Sequence, residues 1–291
     1  MTHVFVSPHP DDAPLSCGGL IAELRARRER VAIVTIFSGS GDLDRVTPYQ
    51  RLALGFGNHE KSRPGDDALD PDDRAGAGQS ASERHVEALA PAAVMAVRRA
   101  EDEAYARFAG ASLALIDLPD AVFRGYEGDA QPFAAPREND RPPIEALRAA
   151  LARLRPATLY VPLAIGGHVD HRQAHRAAVA LLSEPGSPYL ERALFYEDFP
   201  YALALEFERL DKLDPELVRS LPAGVTLEPV YVHVGHRMDE KIDGLRTYES
   251  QLGRLFGGAG AMEADVREPA ARLERIGGTG PSERCWRIAT S

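Results

Sequence analysis

Two short stretches concentrate the residue types that can do chemistry: His9-Pro10-Asp11-Asp12 and His168-Val169-Asp170-His171. His9 and Asp12 lie three apart, so a tight turn would aim both side chains at one point. His168 and His171 have the same spacing, which puts them on one face at the start of a helix. Imidazoles and carboxylates suit a cation. Cys17 and Cys285 are the chain's two cysteines, too few for a thiolate zinc site or a disulfide framework, so any metal is held by nitrogen and oxygen. A hydrolytic zinc needs three protein ligands and an open position for water, whose pKa then falls to about 7. His9, Asp12 and His171 can supply the ligands. Asp11, beside a ligand but pointing elsewhere, suits the general base, and His168, held by Asp170, can serve as oxyanion partner or acid.

The surrounding pattern indicates how these stretches are positioned. Val4-Phe5-Val6 reads as a strand ending at Ser7-Pro8, and the first cluster follows it directly. Gly18-Gly19 would allow close backbone approach where a helix over Leu20 to Arg30 begins. Val31 to Phe37 is a nearly continuous β-branched run, the mark of a strand buried on both faces of a parallel sheet. Leu113–Ile116, Thr158–Val161 and Ala193–Tyr196 read as further strands, with helices around Pro91–Phe108, Ile144–Leu154 and Gln173–Leu182 between them. This alternation predicts right-handed crossovers and a three-layer α/β sandwich with a mostly parallel sheet. The second cluster follows the strand Thr158–Pro162 by way of Gly166-Gly167. Both clusters therefore belong at carboxyl ends of strands, where open α/β sheets bind ligands. The first loop is not a dinucleotide loop, because the G-x-G-x-x-G pattern is missing.

Two connections break the rhythm, about 39–82, rich in Gly, Pro and Asp, and about 125–143, with four prolines; connections this long are expected to be functional loops, lids or partly disordered segments. Beyond residue 200 the pattern predicts a strand at Val230–Val234, a helix from Met238 to Leu255 and a last short strand at Cys285–Ile288. No repeat or clean linker is visible, so residues 1–291 are expected to form one domain. With 34 Lys and Arg against 44 Asp and Glu, the net charge of −10 argues against a nucleic-acid or anionic-membrane binder. No stretch is long and apolar enough to span a bilayer, and the N-terminus lacks the basic flank of a signal peptide. The expected compartment is the cytoplasm.

Taken together, His9-Pro10-Asp11-Asp12 with Gly18-Gly19, and His168-Val169-Asp170-His171, resemble the PIG-L/LmbE-like family of zinc-dependent de-N-acetylases. Weaker support comes from Tyr196-Glu197-Asp198-Phe199-Pro200-Tyr201 and from Lys241 through Tyr248, Ser250 and Gln251. The resemblance implies a Rossmann-like sheet over most of the chain, zinc on His9, Asp12 and His171, Asp11 as base, and His168 polarising the substrate carbonyl. It also implies a substrate: a small N-acylated molecule, above all an N-acetylated amino sugar or glycoside. Fe2+ or another divalent ion can replace zinc in such a ligand set. One departure stands out. Many members carry Glu after the paired aspartates, where this chain has Ala13-Pro14, so a carboxylate that shapes the sugar pocket in relatives is missing.

Other readings compete. An amidase acting on a non-sugar or thiol-conjugate amide, and a non-catalytic metal or ligand-binding protein, would keep the same scaffold. Non-haem iron oxygenases share the ligand set but favour β-rich barrels. His3, His59, His85 and His233 read as structural or exposed, and His236, opening the late helix, is given a structural role. His175 has no Glu at position 172 to complete a metalloprotease pair and reads as core packing. Cys17 reads as a small buried residue. Tyr49 and Arg51 are candidates for substrate contact, while Tyr196, Glu197 and Asp198 can equally line the pocket or pack an edge. Oligomeric state is not encoded legibly.

Overall fold

A computed structural model of the protein describes residues 1–41, 45–55, 90–126, 128, 131–204, 221 and 225–290. Most of the expected first long connection, together with His59 and His85, lies outside these residues.

The sheet begins with β1 (Thr2–Ser7), β2 (Arg30–Thr35) and β3 (Ser112–Leu115), continues with β4 (Thr158–Pro162) and β5 (Ala193–Tyr196), and is completed by β6 (Val225–His233) and β7 (Ser282–Thr290). Their order across the sheet is β3-β2-β1-β4-β5-β7-β6. The first five are parallel, and β7 runs antiparallel to both β5 and β6. β1 is central, pairing with β2 on one side and β4 on the other. From β1 the chain moves outward through β2 and β3, then returns to start again at β4. The switch in direction falls between β1 and β4, where a crevice opens at the carboxyl ends. Both clusters leave the sheet there.

Side chains alternate across the strands. Val4 and Val6, with Ala32 and Val34, pack under α4 (Ile144–Leu154) and α5 (Val169–Leu182). Phe5, Val31 and Ile33 face the opposite layer, built from α1 (Asp12–Ala26), α6 (Met238–Leu245), α7 (Glu249–Phe256) and α8 (Ala259–Ile276), with Tyr105 of α3 (Pro91–Ala109) added to it. A short helix, α2 (Pro48–Ala53), stands beside the crevice. The expected three-layer α/β arrangement is present. No described helix is long and apolar enough to cross a membrane.

Several boundaries differ from expectation for physical reasons. α1 starts at Asp12, not Leu20, and absorbs the glycine pair after a break at Cys17 (φ −127°, ψ 17°). The close approach is real: a Cβ on Gly19 would sit 2.7 Å from Val234 Cβ. The expected helix from Met238 to Leu255 is two helices. Thr247 turns its hydroxyl back to the Gly244 carbonyl (2.8 Å), and Tyr248 is drawn inward to Asp102 (2.7 Å), so the chain bends between them. α8 was not foreseen. Its inward stripe is only Met262, Val266 and Ala270, and Pro269 interrupts it.

Candidate metal centre and active site

The first cluster is shaped by its own backbone. Ser7 Oγ donates to the His9 carbonyl (2.7 Å) and accepts from the Ala13 N–H (3.0 Å), folding the turn back on the strand. The His9 N–H donates to Asp12 Oδ2 (2.8 Å), which fixes that carboxylate at the N-terminus of α1, where negative charge is favoured. Between them Asp11 takes φ 101°, outside the range L-residues prefer, a strain of roughly 1–3 kcal/mol. This reversal separates neighbouring aspartates: Asp12 faces His9 and His171, while Asp11 faces Arg98 (3.5 Å).

Two histidines converge on Asp12 in the same manner. His9 Nδ1 lies 3.1 Å from Asp12 Oδ2, and its Nε2 lies 2.8 Å from Asp170 Oδ2. His171 Nε2 lies 3.2 Å from Asp12 Oδ2, and its Nδ1 lies 2.6 Å from Asp198 Oδ1. Each ring thus gives its outer nitrogen to a buried carboxylate and presents its inner nitrogen at one oxygen. A carboxylate behind an imidazole fixes the tautomer and raises the basicity of the free nitrogen, the arrangement found behind metal-ligating histidines. His171 Nε2 is buried and completes no hydrogen bond among the described residues, leaving a lone pair unused. Against burial, which lowers it, the carboxylates of Asp120, Asp12 and Asp170 lift the pKa of His9 to about 9. A field that favours a proton there also favours a divalent cation. His168 comes into the same space: ring nitrogens of His9, His168 and His171 all lie within 4.8 Å of one another. His9 also takes part in a second grouping of potential donors, with Asp120 and Asp170.

One expectation is corrected here. The Asp170 carboxylate does not hold His168; it is occupied by His9, the Ala121 N–H (2.8 Å) and Arg124. His168 is held instead by the Asp170 backbone N–H, which donates to its Nδ1 (3.3 Å). Burial keeps the ring far below the usual imidazole range, with His9 and His171 adding to the effect. The neutral ring accepts at Nδ1, so its proton sits on Nε2.

His9, Asp11, Asp12 and His168 line a cavity of about 260 Å³; His171, Asp170 and Asp198 lie behind its walls and are not among the lining residues. Asp11, Asp12, Arg98, Asp120 and His168 form polar walls, and Leu15, Val122, Pro132, Phe133, Pro200 and Leu255 supply apolar ones. Phe133 stands 43% exposed at the mouth, edge-on to His168 and Tyr201. It belongs to the second of the two expected long loops, which does border the cavity. Burial pushes Asp11 up to about 7 against the opposing pull of Arg98. Tyr49 lines the cavity and Arg51 is not among its lining residues. Nor is Ala13, which is fully buried in the apolar layer beneath. The family's missing carboxylate thus falls at a core position in this chain.

The remaining candidates separate cleanly. His175 donates to the Pro162 carbonyl (2.9 Å) as core packing, and His236 pairs with Glu23 (2.8 Å) at the surface. Cys17 is buried. Of the residues after β5, Asp198 reaches the site, whereas Tyr196 donates to the Val6 carbonyl (2.7 Å) and Glu197 is held by Arg284 (2.6 Å) and Trp286 (2.9 Å). Arg98, Asp120 and Arg124 were not anticipated. Asp120 had a positional signal, since it follows β3 at the same sheet edge. Arg98 had none, sitting mid-helix among alanines and charges.

The comparisons with known proteins agree with this geometry. The chain is 31% identical to a 2'-N-acetylparomamine deacetylase of Streptomyces fradiae over 94% of its length and 88% of that protein's. A protein of the same activity from Niallia circulans is 30% identical over 68% of this chain and 66% of its own. Among solved structures, the zinc-inhibited form of a teicoplanin deacetylase superposes with a TM-score of 0.69 at 21% identity, covering 100% of this chain and 99% of that one. The model of one family, described as GlcNAc-PI de-N-acetylase, matches residues 4–182, which include both clusters. The chain belongs to this family, the PIG-L family of deacetylases.

Proposed function

We propose that this protein is a zinc-dependent N-deacetylase acting on an N-acetylated amino-sugar glycoside in the cytoplasm. The observation that carries the reading is the convergence of the inner nitrogens of His9 and His171 on Asp12 Oδ2, each ring backed by its own carboxylate, beside Asp11 and His168. His9, Asp12 and His171 would hold the ion. When bound, a divalent ion supplies Lewis acidity toward an amide carbonyl and a water acidified to near neutrality.

The chain's own residues account for the rest. Asp11, with a pKa brought to about 7, can take a proton from the attacking water and give it to the departing amine within one turnover. The neutral His168 is a hydrogen-bond donor and a poor acid, which assigns it to the amide oxygen as charge develops there. Proton return to the amine therefore falls to Asp11. Asp170 positions His9 and does not touch the reacting atoms. Arg98 and Asp120 offer a donor and an acceptor on the polar wall, suited to sugar hydroxyls, and the apolar rim suits the face of a ring. The activity named for the Streptomyces fradiae and Niallia circulans relatives supports an N-acetyl group on an aminoglycoside-type sugar.

The test is release of acetate from a panel of N-acetylated pseudodisaccharides and N-acetylglucosaminides. Zinc is supplied at about one equivalent, since a related fold is known in a zinc-inhibited form. The expected result is acetate and free amine in equal amounts, abolished by a chelator and restored by metal. Metal-loaded protein that deacetylates no member of the panel would overturn the proposal.

A further inference from the structure

We infer that Arg124 is a positioning residue for His9, acting through Asp170, and that it ties the substrate-side loop to the cation site. The inference rests on the reading of His9 as a ligand. Asp170 is fully buried and its two oxygens are divided. Oδ2 accepts from His9 Nε2 (2.8 Å) and the Ala121 N–H (2.8 Å), and Oδ1 accepts from Arg124. The carboxylate's rotation is therefore set on one side by the guanidinium and on the other by the imidazole it orients.

Arg124 is itself held in place. Its guanidinium lies over the Phe37 ring (4.9 Å) and near the Tyr126 ring (5.7 Å), and Asp140 stands 3.5 Å away. Tyr126 donates to that same Asp140 (2.8 Å). The 3-10 turn Ala121–Arg124 thus grips Asp170 twice, by the Ala121 N–H and by the Arg124 side chain. The same turn supplies Val122 to the cavity wall. Arg124 reaches Asp170 through Nη2 alone, a single charge-assisted contact that a lysine ammonium of similar reach could also make. Removing it would leave Asp170 aligned by one backbone N–H and free to turn with His9.

The experiment measures zinc affinity directly, by competition with a chromophoric chelator, alongside the melting temperature of the metal-free protein. Arg124→Met is expected to weaken zinc binding about tenfold, the lower end of what outer-shell partners contribute. Arg124→Lys is expected to recover most of that loss. Arg148→Met, which removes an exposed ion pair with Glu184, should bind as wild type does. If Arg124→Met does not fold, Arg124→Gln, which retains a neutral donor, carries the test and should bind several-fold more weakly than Arg124→Lys. A purely structural role would lower the melting temperature and leave affinity unchanged; wild-type affinity in a folded Met or Gln variant therefore overturns the inference. Failure of the wild-type protein to bind any divalent ion would overturn it together with the functional reading, so the two failures are distinguishable.

Discussion

His171 Nδ1 and Asp198 Oδ1 lie 2.6 Å apart, both buried, and this contact decides which nitrogen of the imidazole faces the site. Asp198 is fixed in turn by the Ile165 N–H, which donates to its other oxygen (2.9 Å). Asp198→Asn removes the charge behind the ring and allows the amide to present its donor instead. Zinc affinity is expected to fall about 10–100-fold. A chelator competition titration checks this, and unchanged affinity would show that His171 is oriented by packing alone.

Phe133 extends an exposed ring along the cavity, edge-on to the rings of His168 and Tyr201. A contact made equally in the bound and transition states affects KM alone. Phe133→Ala should raise KM for a glycoside about three- to tenfold, in keeping with one aromatic contact, with kcat nearly unchanged. A fall in kcat with constant KM would place Phe133 in the chemistry through His168.

His175 is buried and donates to a backbone carbonyl, and burial lowers its pKa to about 4. The unfolded chain binds a proton near 6.5, so between those values the unfolded state holds more protons than the folded one. This group's contribution to stability is complete above about pH 6.5 and is lost as pH falls toward 4, by roughly 3 kcal/mol in all. Urea unfolding of metal-free protein across this range should show a shallower pH slope in His175→Gln than in wild type. Identical slopes would remove His175 as the source.

Much of the fold was legible because parallel strands covered on both faces read as unbroken apolar runs, as at Val31–Thr35 and Thr158–Val161. The clusters were legible because chemistry follows strand ends. Asp198 was half-legible: its place after β5 was visible, but its partner lies 27 residues away on another element. Arg98 and Arg124 act across 88 and 46 residues to reach Pro10 and Asp170, pairings that no local period encodes. α8 stayed hidden because its buried stripe is one residue wide and contains a proline neighbour.

Gly19 shows a local constraint of a different kind. A Cβ there meets Val234 Cβ at 2.7 Å and both its γ carbons at 3.0 Å, in a core with no exposed side to relieve it. Gly19→Ala is expected to cost about 1–3 kcal/mol by overpacking, measured by urea unfolding. A loss below about 0.5 kcal/mol would mean that Val234 shifts freely and that the glycine serves another purpose.

Holding the ion and moving the proton fall to different residues, and the metal content of wild type, Asp11→Asn and His171→Ala, purified in parallel and exposed to zinc, separates the two roles. Asp11 pairs with Arg98 and is not one of the three groups that converge as ligands, so Asp11→Asn should retain about one zinc per chain while its rate falls about 10²–10⁴-fold. His171→Ala should lose both metal and activity. Zinc retained at full occupancy in His171→Ala, or lost from Asp11→Asn, would show that the roles are not divided in this way.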